Sequence, residues 1–235
     1  MANGFIHSFE SMGLVDGPGI RSVVFLEGCK LRCKFCHNPD TWTKCGKIQM
    51  SPEELVKKLL RFKPYFDKSG GGVTFSGGDP LLQPEFLTES LKLCKEHGIH
   101  TCIDTAGVGF GDYDDILKHT DLVLYDVKHY TSDGYLWLTG CEMDKTFAFI
   151  DALKRNNTPI WVRHVVIPEI TDSKSHIQGL RDYIKTLPNV KKVELLPYHL
   201  LGANKYKSMG LPYPLEGVPA MDKDVCKALQ TEFFG

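Results

Sequence analysis

The stretch EGCKLRCKFCHNPDTW (residues 27–42) decides how this sequence is interpreted. It holds three cysteines in the spacing C-x3-C-x2-C, at Cys29, Cys33 and Cys36. The next cysteine, Cys45, follows nine positions later, so the group stops one ligand short of a closed four-coordinate metal site. Because catalytic metal centres keep one coordination position open, the spacing predicts a catalytic centre here.

Three kinds of site could be built from this loop. Zinc would need a fourth ligand, but His37 adjoins Cys36 and Cys45 does not follow a usual zinc spacing. Three free thiols would need no metal, although such tight clustering disfavours that interpretation. Iron–sulfur clusters commonly take four cysteines. We therefore favour a [4Fe–4S] cluster that is held by three thiolates and has one iron without a protein ligand.

Composition restricts the class of protein. The 235 residues are 42% hydrophobic and 24% charged, with a net charge of −1, which is typical of a globular chain with a neutral surface. We therefore expect neither a nucleic acid nor a membrane as partner. The N-terminus shows no secretion signal, so the eight cysteines predict reduced thiols in the cytoplasm.

Strand and helix patterns alternate along the chain. Apolar, β-branched segments predict six strands, at residues 21–27, 72–76, 99–104, 121–126, 159–167 and 191–197. The first helix is predicted to begin at a capping box from Ser51 to Glu54, and the second to stop at Gly98. Further helical patterns cover residues 112–118, 144–155 and 174–187.

This alternation predicts an α/β fold with parallel strands. An open doubly wound sheet would gather ligand groups mainly at its switch point, whereas here all six strand ends carry polar or glycine residues. We therefore favour a partial (β/α)6 barrel of the TIM type. One domain is expected over residues 1–235, with a core barrel over about 15–200, an N-terminal extension (1–14), and a C-terminal loop and helix (201–235).

Several further strings accompany the cysteine loop. In chain order they are HSFES (7–11), DGPGIR (16–21), SGGGVTFSGGDP (69–80), GIHTCIDT (98–105), DLVLYDVK (121–128), WVRHVVIP (161–168) and ELLPYHLLG (194–202). With CHNPDTW they resemble the radical S-adenosylmethionine (SAM) enzymes, and most closely the branch that activates pyruvate formate-lyase. The ordered match, from about residue 4 to about residue 202, is far more specific than the cysteine spacing alone.

The resemblance implies a reaction. In that family a low-potential donor such as flavodoxin or ferredoxin reduces the [4Fe–4S] cluster, which then cleaves SAM to methionine and a 5′-deoxyadenosyl radical. This radical takes hydrogen from one glycine of pyruvate formate-lyase (formate acetyltransferase) and leaves a glycyl radical in that partner. The expected protein is a cytoplasmic oxidoreductase of anaerobic metabolism, and we expect a monomer.

The resemblance also implies site residues. Besides the ligands Cys29, Cys33 and Cys36, the positions that match SAM contacts are Phe35, Cys36, His37, Gly77, Gly78, Asp79, Asp104, Asp126, Val127, Lys128 and His199. Positions that match a monovalent-cation site are Asp104, Thr105 and Asp126. Asp16 and Arg163 are expected to meet the partner's peptide.

Two positions depart from the family pattern. Phe35 replaces a more usual tyrosine and lacks its hydroxyl group. Asp79 stands where the family has glutamate, which shortens the carboxylate arm by one methylene and puts its contact with SAM in question. For two of the matched positions a structural role is the alternative to SAM binding. A strand-end aspartate such as Asp104 often caps a helix, and a lone histidine such as His199 is often structural.

Three other functions remain open. The chain could activate a different glycyl-radical enzyme, but residues 38–71 hold only Cys45 and so lack the extra cysteine motifs that many such activases carry. It could instead be a radical SAM enzyme that modifies a small molecule or RNA. A non-catalytic metal-binding module is the third alternative, and metal and sulfide analysis would distinguish it.

Overall fold

The structure, a computed structural model, describes residues 2–235 and contains a single eight-stranded sheet in that part of the chain. Its strands are β1 (Gly4–Gly13), β2 (Arg21–Leu26), β3 (Ile48–Met50), β4 (Gly72–Gly77), β5 (His100–Thr105), β6 (Leu122–Asp126), β7 (Ile160–Val166) and β8 (Val190–Pro197). The spatial order is β3-β1-β2-β4-β5-β6-β7-β8.

Helices follow most of the strands. They are α1 (Pro52–Leu59), α2 (Lys63–Ser69), α3 (Pro84–Glu96), α4 (Tyr113–Lys118), α5 (Ser132–Thr139), α6 (Phe147–Asn156), α7 (Lys174–Ile184), α8 (Ala203–Ser208) and α9 (Lys223–Phe234). None of these helices combines the length and the apolar character needed to cross a lipid bilayer in residues 2–235.

The six predicted strands are neighbours in the sheet and run parallel. β2 pairs with β4, and β4 to β8 pair in chain order, so each connection crosses over through the helical layer. All their carboxyl ends therefore lie at one edge of the sheet. This arrangement confirms the partial (β/α)6 barrel, and no closed ring forms because β3 and β8 are the two edge strands.

Residues 4–13 are more than an extension of the barrel. They form β1, which pairs antiparallel with β2 on one side and with the short β3 on the other. The N-terminal extension expected over residues 1–14 thus contains a strand of the same sheet, and neither β1 nor β3 was among the six predicted strands. Polar residues interrupt HSFESMG, and one face of β1 remains partly exposed, so the segment lacks the continuous apolar pattern of a covered strand.

Two predicted helix signals hold in detail. At the start of α1, the Ser51 Oγ accepts from the Glu54 amide (3.2 Å), while the Glu54 carboxylate accepts from the Ser51 amide (2.9 Å), which is the predicted capping box. After α3, Gly98 has a φ of 65° and ends the helix as predicted. α2, α5 and α8 were not predicted; in α5, Leu136 and Trp137 are exposed, so its apolar residues do not mark one face.

The sheet separates two apolar regions. The main core packs between the sheet and its helices. A smaller group on the opposite, inner face consists of Cys102, Leu122 and Leu124, with Trp161 packed against it. Because side chains alternate along a strand, Asp104 and Asp126 share this inner face, one pleat nearer the carboxyl ends. The apolar inner group thus forms the floor beneath the polar strand ends.

Candidate active site at the carboxyl ends of the strands

A cavity of about 350 Å³ opens at the carboxyl ends of the six parallel strands. It is lined by Cys29, Leu31, Cys33, Phe35, Cys36, His37, Asn38, Trp42, Ser76, Gly77, Gly78, Asp79, Asp104, Thr105, Ala106, Asp126, Lys128, Arg163, Val165, Leu196, Pro197 and His199. Ten of the eleven predicted SAM contacts are in this set. The exception is Val127, which is buried and packs in the main core.

The cysteine loop is held in place by main-chain hydrogen bonds. The amides of Arg32 and Lys34 donate to the carbonyls of Thr139 and Leu138 at the end of α5, at 2.7 and 2.9 Å. On the other side of the loop, the Cys29 amide donates to the Trp42 carbonyl at 3.2 Å. These bonds tie the loop to the end of α5 and to its own C-terminal part.

Its three thiols suit an iron–sulfur cluster. Cys29, Cys33 and Cys36 are free of disulfides and line the same cavity. Burial raises the pKa of Cys33 to about 12 and also raises that of Cys29, so positively charged iron would be needed to hold both as thiolates. Cys29, Cys33 and Cys36 would hold three irons of such a cluster and leave one iron without a ligand from the loop.

The zinc interpretation fits less well. Within residues 2–235, no three His, Cys, Asp or Glu side chains converge closely enough to hold a single metal ion. Cys45 is exposed and does not line the cavity, and its thiol lies near the Thr43 hydroxyl. His37 stacks against His199 instead of turning toward the thiols, with ring centroids 3.8 Å apart.

The SGGDP turn after β4 packs directly on the cysteine loop. The Gly78 amide donates to the Leu26 carbonyl and the Asp79 amide to the Gly28 carbonyl, both at 2.8 Å. A Cβ on Gly78 would lie 2.2 Å from the Gly28 carbonyl oxygen, so only glycine permits this approach. Gly77, with a φ of 118°, also needs glycine's conformational freedom.

The Asp79 side chain makes hydrogen bonds inside the protein. Its carboxylate accepts from the Thr105 hydroxyl (2.7 and 2.8 Å) and from the amides of Leu81 and Ala106 (both 3.1 Å). Burial raises the pKa of Asp79 to about 7, and these donors oppose the shift. Asp79 thus lines the cavity while its carboxylate ties the β4 turn to the end of β5.

The other acidic side chains are paired with cations. Asp104 accepts from the Ser76 hydroxyl (2.8 Å) and lies 3.4 Å from the Arg163 guanidinium, while its Oδ1 is buried without a hydrogen bond. Asp126 Oδ2 lies 2.6 Å from Lys128 Nζ. Burial raises the pKa of Asp104, against the effect of Arg163. Burial lowers the pKa of Lys128, but Asp126, Cys33 and Asp104 together raise that pKa above its usual value.

The residues of the predicted cation site lie at the ends of two neighbouring strands, β5 and β6. Asp104 and Asp126 approach the cavity from neighbouring strands, and the unbonded Asp104 Oδ1 is an available oxygen ligand. The Thr105 hydroxyl, however, donates to Asp79 and accepts from the Gly107 amide at 2.9 Å. The Thr105 hydroxyl thus uses its proton and one of its two lone pairs within the protein.

An aromatic wall faces the acidic groups. His37 and His199 stack at an interplanar angle of 17°, and Phe35 is buried with Lys128 Nζ 5.4 Å from its ring centroid. Burial lowers the pKa of His37 to about 4 and also lowers that of His199, so both rings stay neutral near pH 7. Flat, uncharged rings of this kind suit stacking with a purine.

The segment after β8 is fastened to the cysteine loop. Lys205 on α8 donates to Asn38 Oδ1 (2.8 Å) and lies 2.9 Å from Asp40 Oδ1. A Cβ on Gly202 would come within 2.7 Å of the His37 Cα, so the two chains run in close contact. The C-terminal segment thus helps to build the aromatic wall.

Asp16 and Arg163 are brought together at the inner face of the sheet. Arg163 Nη2 donates to the Val15 carbonyl (2.9 Å), and the Thr74 hydroxyl donates to the Asp16 carbonyl (2.6 Å). Burial raises the pKa of Asp16, while Arg163 opposes the shift. Arg163 lines the cavity, whereas Asp16 does not.

Three residues near the cavity were not predicted individually. Ser76 bonds Asp104, and Glu194 lies 3.8 Å from Arg163 Nε. Both occupy inward-facing positions of their strands, so the two-residue period could have indicated them. Trp42 lines the cavity beside Cys36, and no feature of the sequence other than its place in CHNPDTW indicated it.

Comparisons with known proteins agree with this geometry. Residues 23–178 match the model of the radical SAM superfamily. Over 230 residues the chain is 60% identical to a pyruvate formate-lyase-activating enzyme of Clostridium pasteurianum, covering 98% of this chain and 97% of that one. Identity to an enzyme of that name from Staphylococcus epidermidis is 46% over 235 residues, which covers 97% and 94% of the two chains.

A solved structure shows the same fold. It is a domain of a pyruvate-formate lyase-activating enzyme from Bacteroides vulgatus, with a TM-score of 0.54 and 25% identity, and the match covers 70% of this chain and 95% of that one. The family match spans more than half of the chain, and two relatives exceed 40% identity over nearly their whole length. The chain therefore belongs to the radical SAM superfamily.

Proposed function

We propose that this protein activates pyruvate formate-lyase by generating a glycyl radical in it. The main evidence is a loop with three free thiols that line a cavity, to which the ends of all six parallel strands also contribute. The relatives named as pyruvate formate-lyase-activating enzymes support this choice of partner.

Cys29, Cys33 and Cys36 would hold a [4Fe–4S] cluster, which would supply the electron that breaks the S–C5′ bond of SAM to give methionine and a 5′-deoxyadenosyl radical. That radical takes a hydrogen atom from the glycine Cα, so the products are 5′-deoxyadenosine and the glycyl radical. The protein's own groups bind, orient and shield the reactants. No general acid or base is needed.

The charges of the cavity indicate how SAM is oriented. In our proposal Asp104, Asp126 and Lys128 hold its amino acid part, where Asp126 attracts the ammonium group and Lys128 the carboxylate. A monovalent cation beside Asp104 and Asp126 would complete the charge balance. The neutral wall of His37 and His199 holds the adenine.

The partner's glycine would approach from the side where the sheet remains open. Asp16 and Arg163 lie beside the cavity there, and the neighbouring Leu14 and Val15 are 72% and 75% exposed. Exposed apolar side chains beside a buried ion-pairing group are suited to an extended peptide loop. We assign Asp16 and Arg163 to the contact with that peptide.

Electron paramagnetic resonance tests this function. Cluster-loaded protein, SAM, a chemical reductant and pyruvate formate-lyase are incubated without oxygen, and a glycyl radical signal is expected. A partner variant whose target glycine is alanine should give no signal and serves as the control. A silent mixture in which the cluster is reduced and SAM is bound would contradict the proposal, and a signal with another glycyl-radical enzyme alone would reassign the partner.

We also infer that an acidic, low-potential redox protein of the flavodoxin or ferredoxin type docks on a basic rim around the cysteine loop. The rim consists of Lys30, Arg32, Lys34 and Lys44. Each cation lies over an aromatic ring, from 3.6 Å for Lys30 on Phe110 to 5.5 Å for Lys44 on Phe5. The rim lies directly outside the thiols, which keeps the path for an electron short.

Charge reversal tests this docking. The Lys30→Glu/Lys34→Glu variant should slow cluster reduction by flavodoxin about tenfold at low salt, because it replaces attraction by repulsion. Reduction by dithionite should be unchanged, and Lys68→Glu, near the opposite end of the strands, is the matched control. Equal rates for flavodoxin with wild type and the double variant would exclude the rim as its docking site.

A further inference from the structure

Two buried histidines lie behind the cavity without lining it. His164 on β7 is 1% exposed, and His176 on α7 is 8% exposed. Their Nε2 atoms are 3.3 Å apart, and their rings stack with centroids 5.3 Å apart. Burying polar rings between β7 and α7 costs free energy that apolar side chains would not cost. The presence of two histidines here therefore needs an explanation.

The hydrogen bonds define the tautomers. His164 Nδ1 lies 2.7 Å from the Val127 carbonyl oxygen, and a carbonyl can only accept, so Nδ1 carries the proton. In a neutral ring the His164 Nε2 is then an acceptor, and His176 Nε2–H must be its donor. The result is one directed chain, from His176 through His164 to the Val127 carbonyl.

Both rings are held neutral by their surroundings. Burial lowers the pKa of His164 to about 4, aided by the neighbouring His129 and Lys128, while Asp126 opposes the shift. Burial likewise lowers the pKa of His176 to about 3, with His164 and His129 contributing. The directed chain therefore persists at neutral pH.

The accepting carbonyl, that of Val127, lies directly after the end of β6. β6 ends at Asp126, and the Val127 amide still donates to the Arg163 carbonyl at 2.9 Å. No backbone amide of residues 2–235 donates to the Val127 carbonyl in return, and Val127 is buried. His164 thus replaces the next rung of the parallel ladder and satisfies a carbonyl that would otherwise be unpaired.

This bond fixes the peptide plane that joins Val127 to Lys128. The direction of that plane sets where Lys128 leaves the strand, and hence its 2.6 Å ion pair with Asp126 at the cavity wall. A rotation of the plane would move Lys128 Nζ away from both the carboxylate and the ligand. A small change in the buried layer would therefore be transmitted to the cavity.

We propose that His164, whose Nε2 accepts a hydrogen bond from His176, is a positioning residue for SAM: it holds the backbone between Asp126 and Lys128 in the binding geometry. This inference rests on the proposed contact of Asp126 and Lys128 with SAM. It does not depend on which protein receives the radical.

Calorimetric titration of SAM into cluster-loaded protein without oxygen tests the role. His164→Leu removes the donor at similar volume and should weaken SAM binding about tenfold, with iron and sulfide content unchanged. His164→Asn restores a donor near the Nδ1 position and should bind within about threefold of wild type. Lys128→Ala is the reference variant that lacks the positioned group.

The outcomes are distinct. Wild-type affinity in His164→Leu, or equal weakening in His164→Asn and His164→Leu, would overturn the positioning role. Normal SAM binding by Lys128→Ala would overturn both the positioning role of His164 and the proposed contact of Lys128 with SAM. Failure to activate pyruvate formate-lyase with all these affinities as expected would refute only the proposed partner.

A second measurement needs no variant. Long-range ¹H–¹⁵N spectra of wild-type protein with its cluster in the oxidised, diamagnetic state should show His164 protonated at Nδ1 and His176 at Nε2. A His164 ring protonated at Nε2 would contradict the directed chain, even if His164→Leu fails to fold.

Discussion

At the scale of single residues, the most informative position is Asp79, which replaces the glutamate of the family pattern. Its shorter arm places the carboxylate among the Thr105 hydroxyl and the amides of Leu81 and Ala106. These donors occupy both carboxylate oxygens, so the side chain joins two strand ends. The departure from the family pattern thus has a structural consequence that residue type alone did not reveal.

Asp79 should make stability depend on pH. Its pKa is about 7 in the fold and 3.8 as the ordinary value, so between these values the folded protein holds a proton that the unfolded chain releases. Stability from this group is therefore lost as pH rises from about 4 to about 7. Relative to Asp79→Asn, the wild-type unfolding temperature should fall between pH 5 and pH 8.

The measurement is thermal unfolding of cluster-loaded wild type and Asp79→Asn across that pH range. The exposed Asp67→Asn, on α2, is the control and should keep a constant offset from wild type. A constant offset for Asp79→Asn as well would show that the Asp79 pKa is not raised.

The cysteines make a second prediction at this scale. Cys33→Ala should lose the cluster's visible absorbance and its iron and sulfide, because two thiolates cannot hold the cluster in a site built for three. Cys94→Ala is the matched control, since Cys94 is buried on α3 in the main apolar core and does not line the cavity. Retention of four irons in Cys33→Ala would remove Cys33 from the ligand set.

At the scale of elements, the site depends on how closely two loops approach. The SGGDP turn donates two amides to the backbone near Gly28, and the segment after β8 presses Gly202 against His37. Both contacts require glycine because a Cβ would meet backbone atoms. The cavity walls are thus set by backbone packing between loops, in addition to the side chains they carry.

Gly78→Ala should disturb this packing. Its Cβ would lie 2.2 Å from the Gly28 carbonyl oxygen, so the cysteine loop or the turn must shift. We expect a stability loss of about 2 kcal/mol or more in urea unfolding, together with incomplete cluster loading. In the control Gly210→Ala the new Cβ would meet no atom within 4 Å. Its stability loss should be only about 1 kcal/mol, because alanine is disfavoured at the positive φ of this position. Equal losses would contradict the packing argument.

At the scale of the whole molecule, the ligand would link all six strands. The cavity collects residues from every parallel strand end, so a bound SAM contacts elements that are distant in sequence. Such a ligand binds only the folded chain. Binding is therefore coupled to global unfolding and not to one loop alone.

SAM should accordingly raise the unfolding temperature. At about 100 times its dissociation constant, SAM adds about 2.7 kcal/mol, which corresponds to about 5–10 °C for a chain of this size. Differential scanning calorimetry of cluster-loaded protein without oxygen measures the shift. Cys33→Ala, which cannot load the cluster, should show almost none, and an equal shift in both proteins would mean that SAM binds independently of the cluster.

The sequence by itself determined the three-thiol loop, the six parallel strands and their common polar edge. These follow from local spacing and from the two-residue and 3.6-residue periods, which need no long-range information. α5 escaped prediction because it exposes Leu136 and Trp137 and so has no single apolar face, and β1 escaped because polar residues interrupt it and one of its faces is partly exposed.

Only the tertiary structure decided which polar groups satisfy one another. It directed Asp79 to Thr105, joined Arg163 to the loop at Val15, and placed His164 under the Val127 carbonyl. Each of these bonds joins segments from different parts of the sheet, and its formation depends on distances of a few tenths of an ångström. Spacing along the chain predicts the chemistry of the cavity, whereas packing in three dimensions selects the partner of each buried donor and acceptor.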